Sequence, residues 1–155
     1  MRFNRKILEQ GVCFFDIDGV LNTSSDWSRK YTFRKDLVKN LCTLAKARKL
    51  DLVMTSSWRI GFVSFGAEKN LPHVKHMERE FLKNDVRIAG KIPIFRGKAR
   101  DHEIRRYLAY HPYDRTIVID DDRSEYSSED GLTILLTDSA KGFDRNALKR
   151  AMKLV

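Results

Sequence analysis

Short apolar runs that lead directly into polar residues constrain this chain more than any other feature of its sequence. Such runs occupy residues 12–15, 52–54 and 116–119, and they are followed by the polar stretches DID, TSS and DDD. The runs are continuous rather than alternating with polar residues, which is typical of strands that are covered on both faces of a sheet. Two further candidate strands lie at residues 86–88 and 132–136.

The segments between and after these runs show the spacing of helices instead. Apolar residues recur at intervals of three and four within residues 37–45, 74–81, 104–108 and 147–152. Strand and helix thus alternate along the chain, and this order favours a parallel sheet with helices on both faces. We therefore predict an α/β fold, a Rossmann-like three-layer α/β/α sandwich with a mainly parallel central sheet, formed by residues 1–155 as a single domain.

Carboxylates are expected to gather at one edge of this sheet. In parallel α/β sheets ligands bind beyond the carboxyl ends of the strands, where the three polar stretches would meet. Asp16, Asp18, Asp120 and Asp121 would then repel one another unless a cation joined them. Because the ligands would all be oxygens, Mg²⁺ is the favoured metal. The sequence does not decide which of Asp120, Asp121 and Asp122 binds it.

Three motifs, in this order along the chain, resemble those of the haloacid dehalogenase (HAD) superfamily. DIDGVLN at residues 16–22 is similar to the first motif, D-x-D-G-x-x, while LVMT at residues 52–55 resembles the second and IVIDDD at residues 117–122 the fourth. The stretches TSSWR, EIRRYL and IDDD are most similar to the small HAD domain of RNA-repair proteins. This resemblance implies a HAD-type phosphatase of the capless kind.

The resemblance also implies roles for individual residues. Asp16 would attack phosphorus and form an aspartyl phosphate, and Asp18 would act first as general acid and then as general base. The fourth motif would hold Mg²⁺ together with Asp16 and the backbone carbonyl of Asp18. Thr55 would donate a hydrogen bond to a phosphoryl oxygen, with Ser56 as the alternative if the strand ends one residue later.

The third motif of the superfamily is a lysine or arginine that neutralises both the phosphate and the nucleophile. The segment FRGKARDHEIRRYL offers Lys98, our first choice, just before a predicted helix, with Arg96 and Arg100 as rivals. The sequence does not separate the three, because they lie close together and carry the same charge.

A basic and aromatic segment after the first motif indicates how a substrate could bind. Residues 26–35, DWSRKYTFRK, interleave aromatic rings with four cations, Arg29, Lys30, Arg34 and Lys35. Rings and cations together suit a single strand or a nucleotide, and the alternative, rings packed beneath the loop with solvated charges, stays open. Trp58 and Arg59 are candidates for substrate contact, or else for a packed ring and an ion pair.

The substrate is expected to be a phosphorylated molecule, with RNA or DNA 3′ ends or nucleotides favoured. The intervals between the motifs leave no room for a cap domain, and an open site suits a macromolecule that supplies its own cover. The net charge of +9, from 30 Lys and Arg against 21 Asp and Glu, can attract such an anion.

Two other functions remain open at this stage. One is a small-metabolite or phosphoprotein phosphatase of the same superfamily, and the other is a non-catalytic basic module that binds nucleic acid. The sequence contains no P-loop, dinucleotide-binding fingerprint or EF-hand. It also lacks an apolar run long enough for a membrane span and starts with residues too polar for a secretory signal, so we expect a cytoplasmic protein without membrane contact.

Overall fold

The computed structural model of the protein describes residues 10–127 and 131–155. In this part of the chain, five strands form one sheet in the order β3-β2-β1-β4-β5, and every neighbouring pair is parallel. The strands are β1 (Gly11–Phe15), β2 (Leu50–Met54), β3 (Ile88–Lys91), β4 (Thr116–Asp120) and β5 (Ile134–Leu136). The predicted α/β fold with a parallel sheet is therefore confirmed.

Helices connect successive strands or follow the last one. They are α1 (Lys35–Arg48), α2 (Pro72–Lys83), α3 (Arg100–Tyr110) and α4 (Arg145–Leu154), with short 3-10 helices at Ser24–Asp26, Ser57–Gly61 and Arg123–Glu125. Helix α1 ends where Lys49 takes a left-handed conformation with φ of 52°, a common way to terminate a helix. Within residues 10–127 and 131–155, none of the helices could cross a membrane.

The sheet is buried on both faces because its side chains alternate between two hydrophobic cores. Cys13 and Phe15 of β1 face the core that contains α1, α2 and α4. Val12 and Phe14 face the smaller core on the other side, where Ile104 of α3 packs. These three layers explain why the strand runs in the sequence are continuously apolar.

Strand β3 begins later than the sequence predicts. The expected strand at residues 86–88 is replaced by Ile88–Lys91, because the end of α2 occupies the residues before it. Asp85 has a left-handed φ of 58°, and the Val86 N–H donates to the carbonyl of Phe81 at 3.1 Å. The last strand is also shorter, since β5 covers Ile134–Leu136 rather than residues 132–136.

The register of the central strands places their carboxyl ends side by side. Phe15 of β1 is paired with Met54 of β2 on one side and with Ile119 of β4 on the other. Beyond these pairs, the Thr55 N–H donates to the carbonyl of Phe15 at 2.9 Å, and the Asp16 N–H donates to the carbonyl of Ile119 at 3.0 Å. Asp16 therefore follows β1 between Thr55 and the end of β4.

Candidate active site

Three carboxylates meet at the carboxyl edge of the sheet. Asp16 follows β1, Asp120 is the last residue of β4, and Asp121 follows it. One oxygen of each lies within 4.8 Å of one oxygen of each of the others. Asp16 is only 6% exposed and Asp120 is fully buried, whereas Asp121 is partly exposed. Three of the four carboxylates that the sequence led us to expect therefore gather here, and Asp18 lies outside this group.

Burial, together with the proximity of the three groups, disfavours their negative charge. Burial raises the pKa of Asp16 to about 7, with a further rise from Asp120 and an opposing effect of Arg100. Burial also raises the pKa of Asp121 to about 6, again helped by the neighbouring Asp120. A cation placed among the three oxygens would stabilise their ionised forms, because an adjacent positive charge favours a carboxylate.

The residues present suit a small divalent cation. Their side-chain ligands are all carboxylate oxygens, which Mg²⁺ prefers. The backbone also makes room for Asp121, because Gly19 faces it with a φ of 78°, and a Cβ at Gly19 would lie 2.1 Å from the Oδ2 atom of Asp121. Glycine at this position thus lets the first motif approach the fourth.

The other two aspartates of these motifs point elsewhere. Asp122 caps the 3-10 helix Arg123–Glu125 by accepting hydrogen bonds from the N–H and the hydroxyl of Ser124 at 3.0 and 2.6 Å. Asp18 is exposed, and its Oδ1 accepts a hydrogen bond from Asn22 Nδ2 at 2.8 Å. Asp18 is thus open to solvent beside the carboxylate cluster, as a proton donor to a bound substrate would be.

Of the three candidate cations, the structure brings Arg100 to the carboxylates. Its Nη1 lies 2.7 Å from Asp120 Oδ2 and 3.2 Å from Asp16 Oδ2. Burial lowers the pKa of Arg100, but attraction to the two carboxylates outweighs this and raises it. Lys98 and Arg96 are exposed and have no ion pair in the described part of the chain. The geometry therefore favours Arg100 over Lys98, our first choice.

The reason lies in where α3 begins. Gly97 forms a turn with a φ of 73°, and Lys98 projects from this turn before the helix starts at Arg100. The first turn of α3 is held against the segment after β4, because the Arg100 N–H donates to Glu125 Oε2 at 3.0 Å. Tyr126 from the same segment donates its hydroxyl to Asp120 Oδ2 at 2.7 Å. Sequence analysis did not identify Tyr126.

Thr55 lies in the predicted place and has an unusual side chain. It is fully buried, and its hydroxyl has no hydrogen-bond partner within residues 10–127 and 131–155. Because buried hydroxyls are normally paired, this oxygen is available to a ligand at the carboxyl edge. Ser56, the alternative, instead caps the 3-10 helix Ser57–Gly61 by accepting from the Trp58 N–H at 3.2 Å.

Arg59 has a structural partner rather than a solvent-facing side chain. It is buried, and its Nη2 donates to both carboxylate oxygens of Glu103 of α3, at 3.0 and 3.1 Å. Its Nη1 also donates to the carbonyl of Thr55. Arg59 therefore joins the end of β2 to α3, and of the two interpretations left open by the sequence, the ion pair is the one observed.

The four cations of the segment after the first motif have different environments. Arg34 forms an ion pair with Asp26 at 2.8 Å and donates to Thr23 at 3.0 Å. Arg29 and Lys30 are exposed and line a cavity next to Asp18, whereas Lys35 is exposed at the start of α1, outside that cavity. Only Arg29 and Lys30 of the four are thus brought to the site.

Asn22 is a further residue that the sequence did not single out. Its Oδ1 accepts from the Gly19 N–H and from Trp27 Nε1, both at 3.0 Å. Its Nδ2 donates to Asp18 Oδ1 at 2.8 Å and to the carbonyl of Thr32 at 2.9 Å. The side chain is buried, and these four bonds use its whole hydrogen-bonding capacity. Asn22 therefore fixes the loop that carries Asp18.

Comparison with known proteins places this site in a family. The model of the family described as "HAD domain in Swiss Army Knife RNA repair proteins" matches residues 12–148, a span that contains every residue of the site discussed above. No curated protein matches the chain.

Proposed function

The chain belongs to the family of HAD domains in Swiss Army Knife RNA repair proteins, and from this premise we propose that it is a Mg²⁺-dependent phosphomonoesterase. Membership of the family itself indicates a phosphatase-type function. The observation that carries the proposal is the convergence of Asp16, Asp120 and Asp121 at the sheet edge, next to a Thr55 hydroxyl without a partner in the described residues.

The reaction would proceed in two displacements at phosphorus. A carboxylate oxygen of Asp16 attacks, the bond from phosphorus to the leaving oxygen breaks, and an aspartyl phosphate forms while Asp18 gives its proton to that oxygen. Asp18 then takes a proton from water as the water attacks phosphorus, and inorganic phosphate leaves with Asp16 restored. The exposed position of Asp18 suits this exchange of protons with substrate and solvent.

Two further side chains would stabilise the phosphoryl group during transfer. Thr55 would donate its hydroxyl to a phosphoryl oxygen, which would satisfy a buried group that is otherwise unpaired. Arg100, which contacts both Asp16 and Asp120, would neutralise charge on the nucleophile and on the incoming phosphate. We assign it the role for which Lys98 was the first choice.

The cation would be held by Asp16, Asp120 and Asp121, with the backbone carbonyl of Asp18 as a further ligand. When bound, Mg²⁺ would offset the repulsion between the anionic nucleophile and the anionic phosphate. The close approach of Gly19 to Asp121 and the all-oxygen donor set support this assignment.

The favoured substrates are nucleic-acid ends, in particular 3′-phosphates. The described segments that connect β1 to β2 and β2 to β3 consist of loops, two 3-10 helices, α1 and α2, so they do not form a cap domain over the site. Arg29 and Lys30 lie exposed beside Asp18, where they would contact the phosphodiester next to the terminal phosphate that is removed. Such contacts would distinguish a polymer end from a small phosphorylated metabolite.

Phosphate release tests the enzymatic part of the proposal. The purified chain should release phosphate from a panel containing acetyl phosphate, a mononucleotide and a 3′-phosphorylated oligonucleotide, and excess chelator should abolish the release until Mg²⁺ is restored. Asp16→Asn should keep the fold, by circular dichroism, and lose activity because the amide cannot form the phosphoenzyme. If the Asp16→Asn variant keeps activity within about tenfold of the parent, Asp16 is not the nucleophile.

The salt dependence of oligonucleotide binding tests whether the substrate is a nucleic-acid polymer. Oligonucleotide binding should weaken with salt by roughly 0.7 in the logarithmic slope for each phosphate contacted on a single strand. Replacing Arg29 and Lys30 by Gln should then reduce the slope by about 1.4, whereas Gln at Lys149 and Arg150, an exposed pair on α4, should leave it unchanged. Equal slopes for both double variants would favour a small-molecule phosphatase, and binding without any phosphate release would favour the non-catalytic module.

A further inference from the structure

A cavity of about 410 Å³ opens next to the proposed general acid. Its lining includes the acid itself, three aromatic rings and two cations, namely Asp18, Trp27, Tyr31, Trp58, Arg29 and Lys30. This volume lies within the range of pockets that hold one small ligand. The lining combines flat apolar surface with positive charge, which suits an aromatic ring attached to an anion.

The position of Asp18 indicates which part of the substrate would occupy this cavity, and this step rests on the proposed function. A general acid must lie within hydrogen-bonding reach of the oxygen that it protonates. In the proposed reaction, that oxygen belongs to the leaving group, so the leaving group extends into the space that Asp18 lines. For a nucleotide, the leaving group is the nucleoside with its base.

Two of the rings that line the cavity pack against each other and against a histidine of α2. Tyr31 stacks on His73 of α2 with ring centroids 3.8 Å apart and planes at 14°, and Trp58 meets both rings edge-on at 5.6 and 5.0 Å. Tyr31 also has a left-handed φ of 58°, a conformation that is unfavourable for a bulky residue and is often found at ligand sites. Despite these contacts, 54% of Tyr31 is exposed.

Trp27 is exposed to a similar extent, 49%, although its indole N–H is fixed by Asn22. The same Asn22 binds Asp18 through its other amide atom. One buried side chain therefore hydrogen-bonds both the ring of Trp27 and the carboxylate of Asp18. Exposed rings that are already immobilised lose little conformational entropy when a ligand stacks on them.

We propose that this cavity is a nucleobase subsite, in which Trp27 and Tyr31 hold the base of the nucleotide whose phosphate is removed. Arg29 and Lys30 would contact the phosphodiester on the other side of that nucleotide. Because the cavity takes a single small ligand, the terminal nucleotide enters unpaired, and a frayed or single-stranded end is the preferred substrate. Stacking tolerates any base, so the subsite does not read sequence.

The test compares two 3′-phosphorylated oligonucleotides that differ only in whether the terminal sugar carries a base. The parent should prefer the substrate with the base, and the preference is measured as the ratio of the two kcat/KM values. Trp27→Ala and Tyr31→Ala should each reduce this ratio by about ten- to a hundredfold, which is the range expected for losing one base–aromatic stack. Trp27→Phe and Tyr31→Phe keep a ring and should retain most of the preference.

Tyr110→Ala is the matched control, because Tyr110 is an exposed tyrosine on α3 that lines a different cavity. It should leave the ratio unchanged. A parent that does not distinguish the two substrates, or alanine variants that lower both kcat/KM values equally, would overturn the nucleobase subsite. Hydrolysis of acetyl phosphate separates this failure from failure of the proposed function, because acetyl phosphate has neither a base nor a need for the subsite.

Discussion

Replacement of Gly19 by alanine should impair cation binding without unfolding the protein. The change has two effects that can be separated. Alanine in the left-handed region costs about 1–2 kcal/mol of the free energy of unfolding, which lowers Tm by roughly 2–8 °C in a domain of this size. The new Cβ would also lie 2.1, 2.4 and 2.8 Å from the Oδ2, Cγ and Cβ atoms of Asp121.

Rotation of the Asp121 side chain relieves the contacts with Oδ2 and Cγ, whereas the contact with Cβ, which is fixed to the backbone, requires the backbone to move as well. A displaced ligand weakens the cation site, and changes around a metal typically cost about 10- to 100-fold in affinity or activity. We therefore expect the Mg²⁺ concentration for half-maximal phosphate release to rise by about that factor. Mg²⁺ titration of activity and thermal unfolding of the same preparation measure the two effects.

Gly66→Ala provides the matched control for the backbone effect. Gly66 has a nearly identical φ of 76°, and within the described part of the chain no atom lies within 4 Å of the position that its Cβ would take. It should lose only about 1–2 kcal/mol, the cost of the left-handed conformation, and keep the Mg²⁺ requirement of the parent. If Gly19→Ala has the same Mg²⁺ titration as Gly66→Ala, the position of Asp121 does not matter for the cation, and our assignment of the ligand is refuted.

Three further predictions concern acid catalysis, the counter-ion and acid stability. Asp18→Asn should reduce the hydrolysis of alkyl phosphates far more than that of acetyl phosphate, whose leaving group needs no proton, and equal losses would contradict the role of the acid. Arg100→Gln should lower kcat/KM by at least about tenfold, since it removes a charge-assisted contact to the proposed nucleophile, Asp16. Lys98→Gln should have little effect. The opposite order of effects would assign the role of the cation to Lys98. Hydrogen bonding from Arg34 lowers the pKa of Asp26 to about 2, so this pair stabilises the fold above about pH 4 and its contribution is lost as the pH falls towards 2. Arg34→Gln should therefore destabilise the protein to denaturant at neutral pH but not at the acid end of that window, and a loss independent of pH would count against the pairing.

The fold was predictable because burial on both faces leaves a direct mark on the sequence. Each of β1, β2 and β4 contains an uninterrupted apolar run, and the end of each run marks the edge where Asp16, Thr55 and Asp120 meet. Strand β3 was misplaced because it lies at the side of the sheet, and Asp85 and Val86 are taken up by the end of α2.

The charged residues were harder to predict because their roles depend on where a helix starts and how a loop folds. Lys98 and Arg100 are two positions apart and carry the same charge, and only the start of α3 decides which of them reaches Asp16. Arg34 belongs to the same basic segment as Arg29, yet the fold of the loop pairs it with Asp26. Neither composition nor spacing contains this information.

The order of strands in the sheet also determines when the site can exist during folding. Strand β1, which leads to Asp16, is central, and its second edge is filled by β4, which is synthesised on the order of a hundred residues later. Pairings between such distant segments form slowly because the loop entropy is lost before the contacts are gained. Until β4 arrives, β1 presents an unpaired edge that other strands could occupy. The carboxylate cluster cannot be completed before β4 pairs with β1, and a chain interrupted before β4 would carry Asp16 on an aggregation-prone edge without Asp120 and Asp121.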